Sequence, residues 1–129
     1  MTAPRQLLVD TDVMIEYLRG SEPAIVFLES LERCPATSVI CVAEVLAGAR
    51  DAVEQEAIDC FLQIFDVLPV NEAIARLGGC YRKTYAKSHH TGLADALIAA
   101  TAASYNLHLA TFNTRHYPMV DAFSPYPRG

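Results

Sequence analysis

The sequence predicts an α/β domain with a central, mostly parallel sheet of four to five strands and helices on both faces. Short apolar runs alternate with amphipathic stretches along the chain, and this alternation is typical of strand–helix–strand units. The chain has 129 residues, 52% of them hydrophobic, which corresponds to one domain, 1–129, with enough apolar material for a core. No internal repeat, linker or low-complexity segment divides it.

Four strands are predicted where apolar runs of four or five residues occur. They cover 6–9, 37–41, 67–70 and 108–111. Pro69 has no backbone N–H to donate to a neighbouring strand, so the third strand is predicted at an edge of the sheet. Residues 118–129 contain three prolines and are predicted to form an irregular tail.

Six helices are predicted from capping residues and from apolar residues that share one helix face. They cover 13–18, 24–32, 42–50, 52–65, 72–87 and 93–105. Asp12 is interpreted as the cap of the first helix, Pro23 suits the start of the second, and Asn71 is a cap for the fifth. In the fourth helix, Ile58 and Phe61 have the spacing of a buried face.

The charge of the chain is strongly polarised. The formal net charge is −5, which by itself argues against a nucleic-acid partner. Residues 1–72 carry thirteen acids and four bases, whereas residues 73–129 carry two acids, six bases and all four histidines. No Asp or Glu occurs between 73 and 94, so the bases there form either a solvated helix face or a surface that faces phosphate.

Cysteine spacing and hydropathy exclude several classes of protein. The four cysteines, at 34, 41, 60 and 80, form no C-x-x-C pair, so neither a zinc knuckle nor a disulfide framework is predicted. Met1–Arg5 leads into the first strand without the apolar core of a signal peptide. Glu44 and Asp95 interrupt the longest apolar stretches, which excludes a membrane span. We therefore expect a cytoplasmic protein with reduced thiols and no membrane partner.

Three carboxylates lie in stretches that otherwise look buried. Asp10 follows the first strand, and Glu44 and Asp95 are each the single charge in an apolar segment. Burying an unpaired carboxylate costs several kcal/mol in practice, and a Mg²⁺ or Mn²⁺ ion would compensate all three together. Asn113, just after the fourth strand, would add a neutral oxygen. Taken one at a time, Glu44 fits an exposed helix position and Asp95 a helix N-terminus.

Four segments of the chain, in order, resemble the PIN-domain nucleases, and specifically the VapC-type toxins of bacterial toxin–antitoxin pairs. They are the runs around LVDTDVMI, TSVICVAEVLAG, LADALIAATA and LATFNTRHY, at 8–20, 37–48, 93–102 and 109–117. A single D-x-D would be weak support, but the four segments span nearly the whole sequence. The resemblance implies a PIN-like fold.

The resemblance also implies a Mg²⁺- or Mn²⁺-dependent endoribonuclease that leaves 5′-phosphate and 3′-hydroxyl ends. Asp10, Glu44 and Asp95 would be the acidic metal ligands, and Asn113 stands where the family often has a fourth acid. That departure removes one negative charge and puts a second metal ion in doubt. The possible auxiliary residues are Thr11, Asp12 and Thr111.

Partners follow from the same resemblance. An RNA substrate, a VapB-like antitoxin and a second copy of the chain are expected, with 23–31 and 45–65 as interface material. The candidates for contact with the RNA backbone are Arg82, Lys83, Lys87, His89, His90 and Arg115.

Three alternatives stay open. The histidines at 89, 90 and 116 would allow acid–base cleavage, which leaves a 2′,3′-cyclic phosphate. The run around Asp10 and Asp12 also fits the haloacid-dehalogenase-like phosphatases, in which the first Asp is the nucleophile, but Asn113 stands where those enzymes need acids. A binding module with a degraded metal site is the non-enzymatic alternative, and Asn113 is its single support.

Overall fold

The computed structural model describes residues 5–128. The ends of the predicted domain, 1–4 and 129, lie outside the described residues. The same holds for most of the N-terminal segment in which the sequence predicts no signal peptide.

The described chain contains five strands, six α-helices and one 3₁₀ helix. The strands are β1 (Leu7–Val9), β2 (Ala36–Ser38), β3 (Asp66–Leu68), β4 (His108–Ala110) and β5 (Ala122–Phe123). The α-helices are α1 (Thr11–Leu18), α2 (Glu22–Glu29), α3 (Val39–Ala47), α4 (Ala52–Leu62), α5 (Glu72–His89) and α6 (Leu93–Ser104). The 3₁₀ helix, Thr114–His116, lies between β4 and β5.

All five strands run parallel, in the order β3-β2-β1-β4-β5. The α/β fold class is confirmed, and so is the edge position of the strand that precedes Pro69. The chain moves outward from β1 to β2 and β3, then crosses back to β4 and moves outward again to β5. The connections between β1 and β3 contain α1–α4, and the connection from β3 to β4 contains α5 and α6. The connections diverge between β1 and β4, and open parallel sheets bind ligands beyond the strand ends at such a point.

Several predicted boundaries are wrong, among them those of the second helix (24–32), the fourth helix (52–65) and the third strand (67–70). At two further boundaries, capping side chains override the local strand and helix signals. The predicted strand 37–41 ends at Ser38, whose hydroxyl accepts the N–H of Ile40 at 3.0 Å and begins α3 at Val39. The first helix is capped by Asp10, whose carboxylate accepts the N–H of Thr11 at 2.8 Å. Asp12, the predicted cap, lies inside the helix and bonds elsewhere.

The predicted irregular tail contains a strand. β5 pairs with β4 through backbone bonds such as that from the Thr111 N–H to the Phe123 carbonyl, 3.0 Å long. Two residues are too few for a periodic signal, and the prolines at 118, 125 and 127 lie outside the pairing.

The sheet and the helices enclose one apolar core. Leu8, Val9 and Leu109 of the central strands are fully buried. Tyr17 of α1 stacks on Phe61 of α4 with ring centroids 4.7 Å apart. The core thus fixes β1 and β4, whose ends carry the candidate site. No helix in the described part of the chain is long and apolar enough to cross a membrane.

Candidate active site at the ends of β1 and β4

Asp10 lies directly after β1, at the point where the connections diverge. Its N–H donates to the Ala110 carbonyl of β4 at 3.0 Å, so the sheet continues up to this residue. Its Oδ1 accepts the N–H of Thr11, and its Oδ2 is 2.8 Å from the Thr111 hydroxyl and 3.0 Å from the Tyr117 hydroxyl. The residue is 5% exposed, and burial together with the neighbouring Asp12 raises its pKa to about 7.

Asp95 lies in the first turn of α6 and meets Asp10 through Tyr117. The Tyr117 hydroxyl is 3.0 Å from Asp95 Oδ1, the same distance as from Asp10 Oδ2. Asp95 Oδ2 accepts the N–H of Gly92 at 3.4 Å and lies 3.4 Å from Nδ1 of His116. The first helical turn favours an anion, as the sequence predicts. The structure therefore brings together two of the three predicted carboxylates, which are far apart in sequence.

Glu44 joins the site through Thr11. The Thr11 hydroxyl donates to Glu44 Oε1 at 2.7 Å, next to the N–H that Asp10 accepts. The expectation that Glu44 is buried is wrong, because α3 turns this side chain outward to the solvent-exposed edge of the site. Thr11, predicted as auxiliary, is the residue that connects the two acids.

Asp12 and Asn113 form a pair across the site. Asp12 Oδ2 accepts the Phe112 N–H at 2.9 Å and the Asn113 side-chain amide at 3.2 Å, and it lies 3.4 Å from the Thr111 hydroxyl. Asn113 thus presents a donor, whereas the sequence predicts an oxygen. Asp12 Oδ1 is buried and has no hydrogen-bond partner among the described residues, and burial raises the pKa of this carboxyl.

These contacts define an acidic network. We use the term for the carboxylates of Asp10, Asp12, Glu44 and Asp95 with the side chains that bond them: Thr11, Thr111, Asn113, His116 and Tyr117. Among residues 5–128, no ion pair joins Lys or Arg to any of the four carboxylates. Arg128 acts on Asp12 through space and offsets part of the effect of burial, which raises the pKa of Asp12.

The donors of this network fit a hard divalent cation in chemistry. Carboxylate oxygens are the ligands that Mg²⁺ and Mn²⁺ prefer, and the buried, unpartnered oxygen of Asp12 lacks a positive partner. Within the described chain, no three His, Cys, Asp or Glu side chains already stand close enough to hold a metal. The Tyr117 hydroxyl lies between Asp10 and Asp95, and Glu44 is bonded to Thr11. Binding would therefore draw these side chains together.

The sequence profile of the PIN domain matches residues 7–121. The chain belongs to the PIN-domain family. Ribonuclease VapC10 of Mycobacterium tuberculosis is 42% identical over 122 residues, which are 92% of this chain and 91% of that protein. Ribonuclease VapC19 of the same organism is 37% identical over 124 residues, 92% of this chain and 97% of that protein. The predicted resemblance to VapC-type PIN toxins is confirmed, and it replaces the haloacid-dehalogenase-like interpretation.

Solved structures show the same PIN fold. A toxin–antitoxin complex from Klebsiella pneumoniae contains a chain with a TM-score of 0.81 and 28% identity, covering 94% of this chain and 98% of that one. FitAcB from Neisseria gonorrhoeae gives a TM-score of 0.76 and 31% identity, covering 93% and 98%.

The predicted RNA-contact residues are not part of the acidic network, but some of them lie on elements that border it. They are exposed or half-buried, and they lie on α5, at the residue that caps its C-terminus (His90) and on the 3₁₀ helix: Arg82, Lys83, Lys87, His89, His90 and Arg115. The end of α5 is tied to the 3₁₀ helix, because the Thr91 hydroxyl donates to the His116 carbonyl at 2.7 Å. This bond places Arg115 and the last turn of α5 on the side of the network where His116 contacts Asp95.

Sequence reasoning missed Tyr117, whose hydroxyl contacts both Asp10 and Asp95, and considered His116 only for acid–base cleavage, although its ring lies 3.4 Å from Asp95. The one available signal was their place at the end of the fourth resembling segment.

Proposed function

We propose that this chain is a Mg²⁺- or Mn²⁺-dependent endoribonuclease and the toxin of a toxin–antitoxin pair. The observation that carries the proposal is the meeting of Asp10 and Asp95 at one hydroxyl, beside Glu44 and Asp12, without a Lys or Arg ion pair among the described residues. The relatives named ribonucleases, and membership of the PIN-domain family, agree with it.

Asp10, Glu44 and Asp95 would hold the metal ion. When bound, the ion supplies a Lewis acid that activates water and offsets charge on the phosphoryl oxygens. The chain's own residues orient the ligands: Thr11 lies between Asp10 and Glu44, and Thr111 bonds Asp10 Oδ2. Asp12 adds a fourth carboxylate to the network, and a bound cation would offset the repulsion between these carboxylates and an RNA phosphate.

The basic residues of α5 and Arg115 would bind the RNA backbone. In the described chain Arg82, Lys83, Lys87 and Arg115 form no ion pair, so their charges are free to face phosphates. Tyr81 and Tyr85 lie on the same helix, with ring centroids 6.4 Å apart, and Tyr81 packs against the core. The bond from Thr91 to His116, which joins the end of α5 to the 3₁₀ helix, supports a path for RNA from these bases to the acidic network.

An antitoxin and a second copy are the proposed protein partners, in the cytoplasm, where the RNA is. Several of the solved structures that share the fold are toxin–antitoxin complexes, one of them at 28% identity. The predicted interface segments expose apolar side chains, with Val26 60% and Val53 77% exposed. A groove of about 560 Å³ between α1, α3 and α4 opens beside Glu44 and has apolar walls that include Ile15 and Val45. Such a groove suits a peptide segment of a partner.

Cleavage of total cellular RNA by the purified, antitoxin-free protein tests the proposal. Light scattering first gives the oligomeric state. Cleavage is then measured with Mg²⁺, with Mn²⁺ and with EDTA, for the wild type, Asp10→Asn and Asp59→Asn. Asp59 is exposed on α4 and provides the matched control.

We expect discrete cuts with 5′-phosphate ends in the wild type and the control, and none with EDTA or in Asp10→Asn. Cuts that persist in EDTA, or 2′,3′-cyclic ends, would point to the histidines instead. Metal binding without cleavage by the folded protein would favour the non-catalytic binding module.

A further inference from the structure

The feature that the proposed function leaves unexplained is the hydroxyl of Tyr117. Tyr117 is the largest of the fully buried side chains, 1% exposed, and its hydroxyl contacts two carboxylates at 3.0 Å each. Phenylalanine would fill the same space in the core. Burying a hydroxyl costs free energy unless it is hydrogen-bonded. For Tyr117, the contacts with Asp10 and Asp95 offset this cost.

The backbone around Tyr117 holds the hydroxyl in place. The Tyr117 N–H donates to the Thr114 carbonyl at 3.0 Å and closes the 3₁₀ helix. The preceding carbonyl, of His116, accepts the hydroxyl of Thr91, which is itself 1% exposed. These bonds hold the Tyr117 ring from both the β4 side and the α5–α6 side. Both carboxylates therefore contact a hydroxyl whose position is fixed.

The hydroxyl also constrains one oxygen of Asp10. Oδ2 lies 2.8 Å from the Thr111 hydroxyl and 3.0 Å from the Tyr117 hydroxyl, whose single proton is shared between Asp10 and Asp95. Oδ1 accepts the N–H of Thr11 at 2.8 Å and lies 4.0 Å from the Sγ of Cys41. Groups that bond metal ligands in this manner orient them, and their removal typically lowers metal affinity by about 10–100-fold.

We propose that Tyr117 is a positioning residue that holds the carboxylates of Asp10 and Asp95 in register for a shared divalent cation. The proposal rests on the metal dependence in the proposed function. Tyr117 does not touch the metal or the substrate. It acts by tying an acid after β1 to an acid in α6, two elements on different sides of the site.

Direct Mn²⁺ binding to folded protein tests this role without relying on cleavage. Tyr117→Phe removes only the hydroxyl, and Tyr105→Phe, at the far end of α6 and 43% exposed, is the matched control. The dissociation constant is measured by electron paramagnetic resonance of free Mn²⁺, and the folded fraction by circular dichroism. We expect roughly 10–100-fold weaker binding for Tyr117→Phe and less than twofold change for Tyr105→Phe. Excess Mn²⁺ should restore part of the cleavage rate.

The wild-type protein offers a second readout that does not depend on the stability of a variant. The chain has six tyrosines and no tryptophan, so a change near one tyrosine is visible in the near-ultraviolet difference spectrum. Mg²⁺ titration should give such a spectrum in the wild type and in Tyr105→Phe and abolish it in Tyr117→Phe, which has the same number of tyrosines as the control.

Four outcomes would overturn the proposal. Equal Mn²⁺ affinity in Tyr117→Phe and the wild type would show that the hydroxyl does not position the ligands, and tighter binding would show that it competes with the metal. A metal-saturated wild type without a tyrosine difference spectrum would contradict it as well. Failure of the wild type to bind Mn²⁺ at all would instead refute the proposed metal dependence, and this proposal with it.

Discussion

Replacing Asp10 by asparagine should stabilise the metal-free protein at pH 8, although it removes the central carboxylate of the acidic network. Burial and the nearby Asp12 raise the pKa of Asp10 from 3.8 to about 7. Above pH 7 the folded protein carries a charge that its surroundings disfavour. Asparagine has the same shape, its oxygen can accept the Thr11 N–H, and hydroxyls such as that of Thr111 can rotate to accept from its amide.

The size and sign of the effect follow from proton linkage. The difference between 3.8 and about 7, at about 1.4 kcal/mol for each pH unit, corresponds to about 4 kcal/mol. Between these values the folded state holds a proton that the unfolded state has released, so the contribution of Asp10 to the free energy of unfolding falls as the pH rises. Below pH 3.8 both states are protonated and the penalty vanishes. We expect the variant to gain about 2–4 kcal/mol at pH 8 and almost nothing near pH 4.

Urea unfolding followed by circular dichroism in EDTA measures this difference at both pH values. Asp59→Asn again provides the control, and its free energy of unfolding should change little at either pH. Adding Mn²⁺ at pH 8 should reverse the order by stabilising the wild type and leaving Asp10→Asn unaffected. An equal gain at both pH values, or no gain at pH 8, would refute the argument from burial.

Two further predictions concern helix packing and the basic surface. Gly78→Ala should cost about 1–3 kcal/mol in urea unfolding, because its Cβ would meet Leu97 Cδ2 at 2.6 Å, whereas Gly79→Ala, with nothing within 4 Å, should gain about 0.5–1 kcal/mol. Equal effects at the two positions would contradict close packing of α5 on α6. Replacing Lys83 and Lys87 together by alanine should weaken RNA binding in EDTA and reduce the salt slope by about 1.4, since each contact to single-stranded RNA contributes about 0.7. Arg76→Ala is the control, because its guanidinium pairs with Glu72 at 2.8 Å, and a slope unchanged by the lysine substitutions would place the RNA elsewhere.

The sequence allowed the architecture to be predicted because strands and helices leave periodic patterns. It did not locate several boundaries, and at two of them the physical reason is a capping side chain. At Ser38 a side-chain cap ends a β-branched run that looks like strand, and at Asp10 the residue that ends β1 also begins α1. β5 was not predicted, because a strand of two residues has no periodic pattern and is defined only by its pairing with β4.

The carboxylates could be predicted because a charge in an apolar stretch stands out in one dimension. Tyr117 could not, since an aromatic residue near a turn looks like ordinary core, and its role depends on two acids distant in sequence. The exposure of Glu44 was only the alternative in the sequence analysis, because its apolar neighbours on α3 indicate burial. In the structure Glu44 lies on an exposed face of α3 that also includes Ala43 and Ala47.

Asn113 is the residue on which the non-catalytic alternative depends, since it removes a charge where the family often has an acid. In the folded chain its amide donates to Asp12 Oδ2 at 3.2 Å, so a carboxylate on α1 lies within hydrogen-bond distance of the neutral position. The network therefore contains four carboxylates, and Asp12 of α1 lies beside the position after β4 at which Asn113 replaces an acid. Because a carboxylate lies beside Asn113, the lack of an acid at this position does not by itself indicate a degraded site, and cleavage by the folded protein decides between the nuclease and the binding module.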